Sequence, residues 1–306
     1  MVDAKKKRNK YSRYEKAEHM QGYLFLTPAI VVLTVFVGLS VLFVIYLSFH
    51  KVNLFTKTYE FVGLKNYIRV FQDDVARIGL KNTLTFSAVV VPVQTILALI
   101  ISSILNSKIK GKYFFRTVYF LPTLTSSSAL TMIFMFMFSV TGPINGMLTK
   151  MNLISEGINF LQEPQFALKV IMVMNIWSTI PMYTTMYLAS LQDLPASMYE
   201  AADIDGAGPL KRFWYITIPY LKPLTTYVLL TSIIGTLQMF DQAYIFSNGS
   251  GGPSNSTLTV SLMVYKYAFG TQNAMGYAAT MALILAVIIM VISRLAEKAN
   301  KEERIY

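Results

Sequence analysis

Six stretches of this sequence are each long and apolar enough to cross a bilayer, and that leaves the chain few folds to choose from. They cover roughly 23–49, 83–106, 114–140, 168–191, 218–240 and 272–293. A hydrocarbon core about 30 Å thick needs about 20 mostly apolar residues per helix. Asp, Glu, Lys, Arg and His are missing from every span core and occur only towards the ends, as at Arg116, Lys169, Lys222, Asp241 and Arg294. In lipid the backbone N–H and C=O groups find no water, so each span must satisfy them internally, as a helix. The predicted fold class is all-α: a polytopic membrane protein with six transmembrane helices.

Charge supports this reading by its scarcity and by its placement. Only 14% of residues are charged, where soluble domains carry about 25%. A net charge of +11 would suit nucleic acid, but the basic residues sit at the edges of apolar runs. Lys5, Lys6, Lys7, Arg8, Lys10, Arg13 and Lys16 precede the first of them. That run, Gly22 to Phe49, is too long for a signal-peptide core and no Ala-x-Ala-like site follows it, so it reads as an uncleaved span. With both termini cytoplasmic, 18 of the 27 Lys and Arg residues fall inside, as the positive-inside rule asks. Residues 1–22 are then a basic cytoplasmic segment, 23–293 the six-span domain and 294–306 a cytoplasmic tail. In the first outer loop, Leu64, Tyr67, Ile68, Phe71, Val75 and Ile78 recur at helical spacing. They predict an amphipathic helix over 63–79 on the outer membrane surface. The chain has no cysteine, which removes disulfides, thiolate metal sites and thiol nucleophiles.

The cytoplasmic loop over 192–217 interrupts this greasy sequence with "EAADIDGAGPLKRFWYITIPYLKP", residues 200–223. Pro195 suits a first helical turn, and Ser197-x-x-Glu200 fits a capping box. Ala201 and Ala202 leave a smooth flank, and Gly206 suits a left-handed helix cap. Pro209 is placed to start a second short helix and Pro219 to close it. Spacing alone leaves two readings open, a well-capped connector or a rigid knob for a partner's groove.

The string Glu200-Ala201-Ala202-x-x-Asp205-Gly206-Ala207, followed by Phe213, Ile216 and Pro219, closely resembles the EAA loop of ABC-importer permeases. Ile204 and the Asp205-Gly206-Ala207 run are similar to the carbohydrate branch, which includes maltose-type and glycerol-phosphate-type permeases. "YLFLTPAI", "FVGLKNY", "KNTLTF", "KGKYFFRTVYFLP", "NIWSTIPMY" and "GGPSNST" extend the resemblance over nearly the whole chain. It implies a type I ABC importer permease fold in a prokaryotic plasma or inner membrane. It also implies a second permease subunit, two ATP-binding subunits and an extracellular sugar-binding protein as partners. Glu200, Ala201, Ala202, Asp205, Gly206 and Ala207 would make or shape the contact with an ATPase. The chain contains no G-x-x-x-x-G-K-[ST] phosphate loop. It is therefore expected to bind no cofactor and to be no enzyme, with ATP and Mg used by the partner ATPase.

A substrate path needs polar groups facing a cavity between helices. Asn175, Thr179 and Tyr183 recur at i, i+4 and i+8 in the fourth span, beside Ser178 and Met182, and Pro181 removes one N–H near mid-membrane. Tyr227, Thr231, Gly235, Gln238 and Gln242 form a second stripe in the fifth. On spacing alone both stripes read first as helix-packing glue and second as a pathway. The resemblance points to the region around Trp177 and the end of the fifth span as a sugar site. It adds Trp177, Thr179, Met182, Gln238 and Asp241 to the path candidates. An uncharged lumen of aromatics, amides and hydroxyls suits a neutral polyol. The segment 247–259, rich in Gly, Ser and Asn, is expected to be a turn-forming outer loop, although Asn248 and Asn255 each match N-x-[ST]. The alternatives are an ion-coupled secondary transporter and a permease for a non-sugar solute. Proton coupling usually leaves a carboxylate or His inside a span, and none is present. His19 and His50 sit at membrane margins, so no acid–base pair for an intramembrane enzyme exists.

Overall fold

The computed structural model describes residues 13–53, 58–107, 111–270 and 274–300. Lys5, Lys6, Lys7, Arg8 and Lys10, together with Lys108, Lys110, Lys301 and Arg304 of the orientation argument, lie outside the described residues. The first span comprises α1 (Arg13–Val32) and α2 (Leu39–Ser48), joined through a π turn at Leu33–Gly38. A hairpin follows, with β1 (His50–Asn53) antiparallel to β2 (Thr58–Phe61), which the all-α prediction had not included. Then come α3 (Lys65–Gln72) and the 33-residue α4 (Asp74–Asn106). Next are α5 (Lys112–Phe120), α6 (Ser127–Met137) and α7 (Pro143–Lys150). The second half holds α8 (Pro164–Gln192), α9 (Ala196–Ile204), α10 (Pro209–Arg212), α11 (Ile218–Leu237) and α12 (Asp241–Ser247). It ends with α13 (Val260–Phe269) and α14 (Met275–Asn300).

Among the described residues, five helical stretches are long and apolar enough to cross a membrane, and a bent helix pair makes a sixth if it counts as one span. The predicted straight span over 114–140 is instead bent by 107° between Thr117–Leu124 and Ser127–Met137. Pro122 sits in a 3₁₀ turn, Thr125 is extended, and the Ser126 side chain accepts from the Ala129 N–H at 3.2 Å, starting a new helix. The predicted amphipathic helix over 63–79 is also divided. Asp73 leaves helical geometry and its carboxylate accepts from Val75 N–H at 2.9 Å, so Val75 and Ile78 belong to α4. A side-chain cap of this kind satisfies donors that a helix start leaves orphaned.

Lipid supplies no hydrophobic drive between spans, so close packing and interhelical hydrogen bonds hold them together. The main core joins Phe86 and Val90 of α4, Ile171 and Met174 of α8, Leu237 of α11, and Leu262, Met263 and Tyr277 near the far end. A second cluster nearer the loop joins Ala98, Tyr187, Leu221 and Val228. Between them, Gln94 of α4 donates to Ser232 of α11 and accepts from Thr179 of α8 at 2.5 Å. Ser87 and Thr236 share a bond of 2.8 Å on the same α4–α11 seam.

The end away from the 192–217 loop is knit by side chains reaching backbone carbonyls. Asn66 donates to Ser48 O and His50 O at 2.9 and 3.1 Å, fixing α3 to the first span. The start of α14 presses so closely on this corner that a Cβ on Gly276 would lie 1.8 Å from His50 O. Tyr277 donates to Asp73 at 2.6 Å beneath the guanidinium of Arg69. Burial first, and then Asp73, push the Tyr267 hydroxyl above its usual range, with Arg69 opposing. The 247–259 segment is a built loop more than a plain turn. Asn82 donates to Asn255 O and Leu258 O, Ser247 accepts from Gly251 N–H, and Lys266 donates to Ser250 O. Among the described residues, the first span is covered at this corner towards its end, at Val44, Leu47 and Ser48. From Glu18 to Phe43 its residues are exposed apart from the half-buried Gly38.

Candidate functional site

The charged interruption forms a short helix, a turn and a second helix, projecting where α8 ends and α11 begins. Pro195 occupies the N-cap position of α9 without any side-chain cap bond, so the Ser197–Glu200 capping box is not formed. Pro195 fixes φ at −58°, which already shapes the entry to the helix. Glu200 is exposed and its side chain makes no hydrogen bond among the described residues, which leaves its carboxylate free for a partner.

Gly206 takes the left-handed position expected of it, at φ +71°. Its N–H donates to Asp203 O at 3.1 Å, and Ala207 N–H donates to Ala202 O at 2.8 Å. That pair of bonds is a Schellman motif, which satisfies carbonyls at a helix end. Nothing within 4 Å would meet a Cβ at Gly206, so backbone conformation alone requires glycine within the chain. Ala201, Asp205 and Gly206 are exposed and Ala207 half-buried. Ala202 is only 8% exposed, so it shapes the knob from within, whereas Ala201 presents its surface.

Beyond the turn, Pro219 does not close a second helix. α10 passes through a π turn at Phe213–Thr217 directly into α11. A π turn shifts the hydrogen-bond register by one residue; Ile218 N–H bonds to Phe213 O, and Pro219, which has no N–H to place, falls in the first turn of the new register. Arg212 pairs with Asp203 at 2.5 Å, and Tyr199 shares a 2.8 Å hydrogen bond with Thr217. The knob is thereby clamped to the foot of α11. A cleft of about 790 Å³ opens between it and the end of α4, lined by Ser103, Asn106, Glu200, Asp203 and Arg212 among others.

The path candidates divide between two sides of their helices. On α8, Asn175, Thr179 and Tyr183 lie on a buried or half-buried arc. Thr179 bonds Gln94, and Asn175 donates to Gln242 at 3.2 Å, so both tie helices together. The Asn175 Oδ1 is buried without a partner among the described residues. Trp177 and Met182 are exposed, with the Trp177 ring 5.7 Å from that of Phe134. The α8 helix continues unbroken through Pro181. On α11, Tyr227, Gly235 and Gln238 are exposed along one side and Thr231 is half-buried. Helical geometry breaks at Gln238–Phe240, where Thr259 donates to Met239 O at 3.0 Å, and Asp241 is exposed at the start of α12.

The family described as "Binding-protein-dependent transport system inner membrane component" matches residues 94–302, from the middle of α4 to the end of α14. The chain belongs to this family. Its relatives include the lactose transport system permease protein LacF of Rhizobium radiobacter, 37% identical over 93% of this chain and 95% of that protein. The trehalose/maltose transport system permease protein MalF of Thermococcus litoralis is 33% identical over 93% of this chain and 94% of its own length. A solved bacterial ABC transporter that imports the acidic polysaccharide alginate contains a chain of the same fold. It superposes with a TM-score of 0.78 at 22% identity, over 94% of this chain and 98% of that one. This family member is thus a multi-pass inner membrane component.

Three functional-site features escaped the sequence reading. Gln94 is the hub of the α4–α8–α11 network, and a lone amide in an apolar span was its signal. The Arg212–Asp203 clamp joins residues nine apart across a turn, with no periodic spacing to announce it. The 107° bend was signalled by the Pro and Ser/Thr cluster of "LPTLTSSS".

Proposed function

We propose that this chain is one permease half of an ATP-driven, binding-protein-dependent sugar importer. The observation that carries the reading is the clamped knob around Gly206, with Glu200, Asp205 and Ala201 presented outward, in a member of this family. In this reading the knob seats on an ATP-binding subunit that supplies ATP and Mg chemistry, while this chain supplies no catalysis. Closure of two such subunits would pull on α9. The Arg212–Asp203 and Tyr199–Thr217 links would pass the displacement to α11. A second permease completes the path, both termini are cytoplasmic, and a sugar-binding protein delivers substrate from outside. In this reading Trp177, Met182, Gln238 and Asp241, which are exposed, would face that path; Asn175, Thr179 and Tyr183 would support its wall. The names of the lactose and trehalose/maltose relatives support a neutral sugar as cargo. The test is uptake of labelled oligosaccharides into sealed vesicles holding the complete transporter. Uptake should require both ATP and the binding protein. Uptake driven by an ion gradient without ATP would overturn the proposal.

A further inference from the structure

We infer that the crevice between α3, α4 and α14 is a binding site for one anionic phospholipid, with a segment of one acyl chain seated in the crevice and the phosphate on Arg77. The crevice holds about 100 Å³ and is walled by Val70, Leu80, Met281, Ile284, Leu285 and Ile288, with Arg77 at its rim. An apolar space of this kind does not hold water and takes apolar ligands. Most of its walls belong to the membrane-spanning α4 and α14, so the apolar ligand at hand is a lipid tail.

The height of the rim fits a headgroup. Helix α3 exposes Leu64 just before it, together with Ile68 and Phe71, and carries Lys65 and Arg69. A helix with that division lies at the boundary between headgroups and acyl chains. Arg77 stands one turn into α4, immediately beneath α3, and is held rather than free. Its Nη1 donates to Asp74 at 3.0 Å and its Nη2 donates to Phe71 O at 2.9 Å. A guanidinium has five N–H donors, so donors remain for a phosphate, and Arg–phosphate pairing is among the stronger hydrogen bonds. The side chains of Arg77 and Asp74 are 65% and 86% exposed, so their own pairing adds little and leaves the charge available.

The surrounding charge is complementary to an anion. Between residues 65 and 81 lie Lys65, Arg69, Arg77 and Lys81 against Asp73 and Asp74. Of the two carboxylates, Asp73 is engaged by Tyr277 and by the first N–H groups of α4. A protein helix seated in the same crevice would have to bury Arg77, whereas a lipid presents a counter-charge to it. The site lies at the opposite end of the bundle from the Gly206 knob, and the inference does not depend on what the protein transports.

The test uses the purified full-length chain, alone and in its complex, equilibrated with micelles of mixed phosphatidylglycerol and phosphatidylcholine and read by native mass spectrometry. One phosphatidylglycerol should remain bound through delipidation. Arg77→Gln should weaken its retention at least about tenfold, as loss of a charged hydrogen bond would. Ile284→Trp, which fills the crevice from its half-buried side, should abolish retention. Equal retention by all three proteins overturns the site. Should either variant fail to fold, the wild-type chain decides the matter through a phosphatidylglycerol bearing a photoreactive group in its acyl chain. Labelling concentrated between Met281 and Ile288 supports the site. Labelling spread equally over α1 and α2 overturns it in favour of ordinary annular lipid. Photo-cross-linking of an Ile288→Cys chain labelled with benzophenone maleimide to a second permease chain also overturns it, because a protein then covers the crevice.

Discussion

Gly206 shows how one residue can hold two kinds of requirement that separate cleanly. Within this chain it needs only a left-handed backbone, because open space surrounds it. Gly206→Ala should therefore cost about 1 kcal/mol of local stability, leaving insertion and expression intact. Gly206→Pro cannot take φ +71° and loses the N–H that bonds Asp203 O. It should leave the protein inserted and abolish transport; normal uptake by this variant would remove the knob from the docking role. The left-handed cap was legible because glycine after an alanine-rich helical run has one common use. The Ser197–Glu200 box was legible and did not form, because Pro195 took the cap position two residues earlier than spacing implied. Trp177 and Thr179 illustrate the opposite limit. Two neighbours on one helix face different surroundings, one exposed and one bonded to Gln94, and periodicity alone does not say which arc faces the bundle.

Among elements, α4, α8 and α11 form the unit whose packing decides whether the candidate path has a rigid wall. Gln94 reaches both Thr179 and Ser232 from a position 1% exposed, so its amide has no water as an alternative. A double-mutant cycle on Gln94→Leu and Thr179→Val should yield a coupling of about 0.6 kcal/mol and not more than ~1.7, the range found for interhelical bonds in membranes. Reversible unfolding in mixed detergent would measure it; zero coupling would mean the network merely accompanies packing. The six spans themselves were legible from length and apolarity because lipid enforces helices. The bend in the third was not taken from the sequence, since total hydropathy over 114–140 is blind to direction. The division between α3 and α4 was hidden for a similar reason. The apolar spacing runs on past Asp73, and only the capping bond to Val75 marks the break.

At the scale of the whole molecule, orientation is the property on which the proposed division of labour rests. The absence of native cysteine makes it directly measurable, because one introduced thiol has no background. Ala207→Cys should react with an impermeant maleimide only from the cytoplasmic side. Asn248→Cys, in the built loop at the other end, should react only from outside. The reverse pattern would place the knob beyond the reach of any ATPase. Orientation was legible only as a statistic of Lys and Arg, since no single residue fixes it. The nearly bare first span carries a consequence for how such a protein comes to exist. Made before the helices it will contact, it meets the membrane ahead of them. Because it is covered towards its end, around Leu47 and Ser48, it can reside in lipid as a finished object and wait. Assembly of the bundle can then build on an anchor already in place, and α14, made after it, is a helix that fastens it.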